Sequence, residues 1–159
     1  KYGFEFLRFN TELTPEVQAD QYGEKLWEKN PDSCCNIRKV IPLKQALKNY
    51  DVWITGIRKK QTQDRNQADL IEFESRFEVI KINPLLEWTH DEVWDYIKTN
   101  NLPYNPLHDS NYPSIGCKQC TSPVCAGEDD RSGRWKGTNK TECGLHKTDI
   151  ISINTFKGK

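Results

Sequence analysis

Asp51-Val52-Trp53-Ile54-Thr55-Gly56 is a run of apolar and β-branched residues that closes on a glycine, as a buried strand does before it turns. The stretch that follows, residues 57–70, carries Arg58, Lys59, Lys60 and Arg65 and has little apolar content. It therefore reads as a surface loop at a strand end, a place suited to an anion. Phe77 to Ile82 is the next strand, and after Pro84 the run Thr89-His90-Asp91-Glu92 is a capping box. In such a box the threonine hydroxyl and the glutamate carboxylate each satisfy one otherwise orphaned N–H, so a helix through Trp94, Ile97 and Lys98 is predicted. Strand alternating with helix favours a parallel α/β sheet.

Upstream, Phe4 to Phe9 alternates apolar and polar residues as a strand would, and Thr14-Pro15-Glu16 supplies a cap, a first-turn proline and an early acid for a helix over residues 15–28. Residues 33–40 form a second, short helix, ending before Pro42 because proline disfavours a helical predecessor. Its first turn holds Cys34 and Cys35. Residues 43–50 make a third helix. Residues 100–125 are rich in Pro, Asn, Ser and Gly, so they read as a loop fastened by something other than secondary structure, with Cys117 and Cys120 as the fastening. Two regions follow: 1–125, an α/β domain, and 126–159, a polar, mobile tail with few core residues, carrying Cys143-Gly144-Leu145-His146.

Lys plus Arg number 23 and Asp plus Glu number 23, which removes bulk electrostatic attraction to nucleic acid or an anionic membrane. No apolar run is long enough to span a bilayer, and the first ten residues lack the core of a secretory signal. The sequence thus predicts a soluble, cytoplasmic protein. It contains no methionine, even at position 1, and reads as a piece of a longer product.

Six cysteines in a reducing compartment point to metal or catalysis rather than to disulfides. The pairing of Cys34-Cys35 with Cys117-x-x-Cys120 is the most specific feature. Adjacent helical residues diverge by about 100°, so both thiols reach one centre only if it is larger than an ion or the helix is distorted. A four-iron cluster offers four separated corners, whereas zinc draws its sulfurs toward one point, usually from two C-x(2–4)-C knuckles. A zinc site is the alternative. Cys125 is a further ligand candidate, read instead as a buried free thiol. Cys143 stands apart in the polar tail, where no core should bury it, and Gly144, Lys140, Lys147, Arg131 and Arg134 surround it in sequence. It is the candidate nucleophile, grouped with His146 as catalytic. Lys39, Arg38, Arg58 and Arg65 lie at element ends where they could grip phosphate or sulfate. Trp27, Trp53, Trp88 and Trp94 read as packing residues, whereas Trp135 lacks an evident structural reason.

Asp32-Ser33-Cys34-Cys35-Asn36-Ile37-Arg38-Lys39-Val40, Trp53-Ile54-Thr55-Gly56-Ile57-Arg58, Tyr112-Pro113-Ser114-Ile115-Gly116-Cys117 through Cys120-Thr121, Arg131-Ser132-Gly133-Arg134-Trp135 and Glu142-Cys143-Gly144-Leu145-His146 together resemble the assimilatory adenylyl-sulfate reductases. These are the iron–sulfur branch of the phosphoadenylyl-sulfate reductase family. The resemblance implies the C-terminal part of a parallel-sheet, adenine nucleotide alpha hydrolase-like domain. It implies a 4Fe–4S cluster on Cys34, Cys35, Cys117 and Cys120, with Lys39 close to both cluster and substrate. Arg58, Arg131 and Arg134, with Arg38 beside them, would bind phosphate and sulfate. Cys143 would take the sulfo group from adenylyl sulfate as S-sulfocysteine, and thioredoxin or glutaredoxin would release sulfite, the step that feeds sulfate into cysteine biosynthesis. Reduction of the 3′-phosphorylated nucleotide, or a non-catalytic zinc- or cluster-binding module, are the alternatives.

Two departures stand out. No glycine- and serine-rich phosphate-binding loop and no Leu-Asp-Thr-Gly segment occurs in this sequence, so the chain by itself is expected to bind adenylyl sulfate poorly and to turn over little. Missing strands would also leave a bare sheet edge through which copies could associate. Lys136-Gly137 stands where relatives often carry further aromatic residues, so the docking of the tail is expected to differ.

Overall fold

β1 (Val52–Ile54) runs parallel to β3 (Val79–Ile82), with Val52 opposite Ile80 and Ile54 opposite Ile82. The computed structural model, which describes residues 3–146, thus pairs the two predicted strands in parallel, through a connection that holds only 3-10 turns and a further strand. Between them in the chain comes β2 (Ile71–Glu74), of which the sequence carries no sign. It turns back through residues 75–78 and pairs antiparallel to β3, giving a mixed sheet of order β1-β3-β2.

The register sorts the side chains by face. Val52, Ile54, Ile80 and Ile71 share one face and are 42%, 68%, 41% and 50% exposed. β1 is therefore an edge strand and not the buried one expected. The opposite face carries Trp53, Val79, Lys81, Glu72 and Glu74, the last four buried. Lys81 is held 2.6 Å from Glu72, so the charge is buried with its partner. Val79 packs with Leu47 and Phe77, with Val40, Leu43 and Trp53 at the margin. A second cluster of Ile57, Ala68 and Leu86 draws the 57–70 loop down, and Arg65 is buried with it. The expected polar surface loop is in this respect corrected.

Gly23 and Lys25 both take left-handed backbone and divide the helix expected over residues 15–28 into α1 (Pro15–Tyr22) and α2 (Leu26–Lys29). Thr14 caps α1 as predicted. α3 (Pro31–Cys35) does not stop before Pro42. It runs through a π turn, Asn36–Val40, into α4 (Ile41–Leu47). There the N–H of Ile41 reaches the carbonyl of Asn36 rather than that of Ile37. The wider turn relieves the clash a proline ring makes with the carbonyl four residues back, so the helix continues. α5 (His90–Thr99) begins on the predicted capping box of Thr89 and Glu92. Residues 4–9 form no strand and leave Phe6 and Leu7 exposed, because a strand needs a sheet neighbour and the three strands here pair among themselves.

Residues 126–146 fold back onto the body. Thr121 bridges Arg134, the N–H of Ser122 donates to Gly133 O at 2.9 Å, and that of Trp135 to Cys120 O at 3.1 Å. The 100–125 loop is thus fastened by backbone pairing with the following segment. Trp135, Glu142 and Cys143 are buried, 4%, 2% and 9% exposed, which corrects the expectation of a segment with few core residues.

Candidate active site

Four thiols share one pocket. Cys34 and Cys35 come from the end of α3, Cys117 precedes and Cys120 ends the short 3-10 turn Lys118–Cys120, and Trp27, Arg38, Lys39 and Trp135 line the same pocket. All six cysteines are free thiols. Among the described residues no group of three His, Cys, Asp or Glu side chains converges as a single-ion site would require. Burial pushes the Cys35 thiol up while Lys140 and Lys39 pull it down, and the Cys120 thiol is pushed up by burial and by its cysteine neighbours. Gln18 Nε2 donates to Cys34 Sγ at 3.6 Å, and Arg38 ties Gln18 Oε1 and Leu13 O at 3.2 and 3.4 Å, which anchors α1 to the pocket.

Cys143 lies behind two of the residues that line this pocket. It packs with Cys35 and Trp135, with Cys120 and Leu145 at the margin. Trp135 takes a left-handed backbone (φ 47°), a conformation that costs a bulky residue roughly 1–3 kcal/mol and persists only where surroundings impose it. Here three cations surround its indole: Arg134 at 4.4 Å from the ring centre, Lys140 at 5.6 Å and Arg131 at 5.8 Å. Lys140 also pairs with Asp32 in the first turn of α3. Cationic groups so close over an aromatic face in a partly dry site attract it electrostatically.

On either side of Cys143 the chain is held. Glu142 lies between two arginines, with Arg65 Nη2 at 3.0 Å from Oε2, Arg65 Nε at 2.9 Å and Arg131 Nη2 at 3.2 Å from Oε1, and the Thr62 hydroxyl donating at 3.2 Å. Burial alone would raise the Glu142 carboxyl, but the hydrogen bond and charge of Arg65, with Arg131, hold it below the usual carboxylate range. On the other side Arg76 Nη1 donates to Gly144 O at 2.7 Å and Nη2 to Leu145 O at 3.1 Å. His146 stacks on Trp53, centroids 5.2 Å apart and planes 13° from parallel. Burial, and then the charges of Arg65 and Lys81, push its pKa down to about 3.

The sequence-predicted residues therefore divide. The four ligand cysteines, Lys39 and Arg38 meet at one pocket, with Cys143 against it. Arg58 and Arg131 line a separate hollow with Lys60, His90 and Ser114, and with the carboxylates of Asp129 and Asp130. Arg134 instead stacks on Trp135 and donates to Ser114 Oγ and Ile115 O, both at 3.2 Å. Its guanidinium occupies the space a Cβ on Gly116 would need, 2.1 Å from Nη2. His146 lies on the sheet and outside the cysteine pocket. Cys125, read as a buried thiol, is exposed, and Trp27, read as packing, lines the pocket. Lys147 lies outside the described residues. Arg76, Gln18 and the anchoring role of Glu142 went unread. Only the Glu142-Cys143 adjacency hinted at one of them.

Against known proteins, the family model described as the phosphoadenosine phosphosulfate reductase domain matches residues 1–123. The chain belongs to that family. It is 53% identical over 136 residues to an adenosine 5′-phosphosulfate reductase of Halalkalibacterium halodurans, covering 86% of this chain and 59% of that protein. It is 54% identical over 138 residues to the enzyme of the same name from Oceanobacillus iheyensis, covering 87% and 58%. A solved phosphoadenylyl-sulfate (PAPS) reductase from Candida auris, crystallised as a phosphate complex, superposes with a TM-score of 0.59 at 36% identity, covering 73% of this chain and 56% of that one. The chain thus spans somewhat over half the length of the curated relatives it matches. Among the described residues no helix is long and apolar enough to cross a membrane.

Proposed function

We propose that the protein reduces adenylyl sulfate to sulfite and AMP, with Cys143 as acceptor of the sulfo group. The observation that carries this reading is the burial of Cys143 directly against Cys35 and Trp135, which line a pocket with Arg38 and Lys39. The names of the relatives, adenosine 5′-phosphosulfate reductases, support the nucleotide.

Cys34, Cys35, Cys117 and Cys120 would hold a 4Fe–4S cluster. The donor set fits it: four free thiols, drawn from two separate parts of the chain, line one pocket. When bound, such a cluster supplies the largest fixed charge near the substrate. Lys39, on the same wall, would meet a sulfate or phosphate oxygen, and Arg58 and Arg131 would hold the remaining anionic oxygens from their own hollow. Arg134 and Arg38 act at one remove, by ordering the 114–116 loop and α1.

In the reaction the Cys143 thiolate attacks the sulfuryl sulfur, an S–S bond forms, the bridging S–O bond breaks, and AMP leaves with the bond's electron pair. A thiolate of a dithiol carrier, thioredoxin or glutaredoxin, then attacks Cys143 Sγ and expels sulfite. The second carrier thiol resolves the mixed disulfide, so the carrier supplies both electrons and ends as its disulfide. Such a carrier works in a reducing cytoplasm. The Candida auris neighbour keeps one second reading alive, the 3′-phosphorylated nucleotide as substrate.

Sulfite release by full-length protein, supplied with reduced thioredoxin and either nucleotide, tests the proposal. Faster release from adenylyl sulfate, abolished in Cys143→Ser, is expected. Equal or faster release from the phosphorylated nucleotide favours the second reading, and sulfite from Cys143→Ser at the wild-type rate overturns both.

A further inference from the structure

Arg76 takes part in none of the chemistry above, yet four of its N–H groups are engaged. Nε and Nη2 fork onto Glu74 at 2.8 and 2.7 Å, while Nη1 and Nη2 hold Gly144 O and Leu145 O at 2.7 and 3.1 Å. Glu74 is buried on the inner face of the sheet, so the guanidinium is aimed by a carboxylate that belongs to the fold and not to the segment it grips. Two successive carbonyls can face one guanidinium only if the chain turns sharply between them. Gly144 supplies that turn, at φ 82°, a region costly for residues with a side chain. The neighbouring His146 stacks on Trp53, so the grip on the backbone adjoins an aromatic seat.

We propose that Glu74 and Arg76 form a fixed clamp that positions the Cys143 thiol against Cys35 and Trp135 of the cysteine pocket, with Arg76 a positioning residue rather than a catalytic one. The inference rests on the reading of Cys143 as the acceptor thiol. Glu142 and the Arg65–Arg131 pair hold the chain before Cys143, and Arg76 holds it after. With one side alone anchored, the thiol would sweep an arc. With both anchored it is confined beside Cys35. Only arginine can serve here, because a lysine ammonium is a point donor on a flexible stem and cannot fork onto Glu74 while reaching two carbonyls.

The test is competitive alkylation of the holoprotein, with the exposed Cys125 as internal standard and modification read by peptide mass spectrometry. Two variants are compared with wild type: Arg76→Lys, and Arg76→Met combined with Glu74→Gln, which leaves no lone buried carboxylate. In both, alkylation of Cys143 relative to Cys125 should rise about tenfold, as expected on losing charge-assisted hydrogen bonds, with Cys34 and Cys35 unchanged. In single-turnover sulfo transfer the same variants should lower the rate and leave the apparent affinity for adenylyl sulfate unchanged. An unchanged Cys143 to Cys125 ratio in both variants, or a uniform rise at every buried cysteine, overturns the clamp. Alkylation needs neither substrate nor turnover, so its result stands apart from the success of the proposed reaction.

Discussion

Cys143 packs against Cys35 in a buried cluster closed by Trp135. The contact joins the segment that carries Cys143 to the vicinal pair at the end of α3, and Trp135 packs against both. Whatever moves residues 131–145 therefore changes the cysteine pocket, and changes at the pocket reach the segment through the same ring.

The Glu142 anchor should be the more sensitive of the two holds on Cys143. Glu142→Ala leaves Arg65 and Arg131 facing each other in a buried site without a counter-charge, which should cost the docked segment roughly 3 kcal/mol. Amide hydrogen exchange across residues 140–146 should accelerate about a hundredfold, with the sheet amides of β3 unaffected. Equal protection in variant and wild type would remove the anchor.

Docking of the segment should weaken in acid. His146 has its pKa lowered from 6.5 to about 3 when stacked on Trp53, so the docked state binds fewer protons than the undocked one. Its contribution is complete above 6.5 and falls away as pH drops from there toward 3. The lowered Glu142 carboxyl acts in the same sense, present above the usual carboxylate value and lost below it. An NMR titration should find the His146 imidazole still neutral at about pH 5. A midpoint at the ordinary histidine value would contradict the stacked placement.

Gly133 should tolerate no side chain. A Cβ there would stand 2.2 Å from Ser122 O, a backbone atom that cannot swing aside, and the pairing of residues 120–122 with 133–135 would open. Gly133→Ala should cost about 2–3 kcal/mol and lower Tm by roughly 5–10 °C. On the proposed ligand set, iron content after anaerobic purification should fall with it, because Cys120 O accepts from Trp135 N–H within the displaced pairing. A variant with wild-type Tm and iron would show that this backbone pairing is dispensable.

Copies of this chain should associate through the exposed apolar face of the sheet. Val52, Ile54, Ile71 and Ile80 stand together there in the open, and contiguous exposed apolar area of this kind marks an interaction surface. Sedimentation of the chain should show mass rising with concentration. Ile54→Lys should suppress that rise while changing stability by no more than about 0.5 kcal/mol. Persistence of the association in Ile54→Lys would move the interface elsewhere.

What could be read from the sequence follows from which signals are local. The α5 capping box and the strands at residues 52–54 and 79–82 rest on neighbours in sequence, and all three are present. β2 escaped because Glu72 and Glu74 make its inner face look polar. Their burial depends on Lys81 and Arg76, partners that only the folded sheet brings to them. Pro42 misled for a related reason: a π turn absorbs its ring, and nothing local in the sequence announces that turn. The four cysteines gathering at one pocket was expected from their spacing and from the resemblance. The burial of Cys143, the Arg76 grip and the Glu142 anchor were not, since each joins residues far apart in the chain.

Mass spectrometry of the full-length protein after exposure to adenylyl sulfate, without reductant, tests the central claim most directly. The account predicts a single added sulfo group, mapped to Cys143 and released as sulfite by a dithiol carrier, with Cys34, Cys35, Cys117, Cys120 and Cys125 unmodified. A sulfo group on any other cysteine, or none on Cys143 while sulfite still forms, would contradict it.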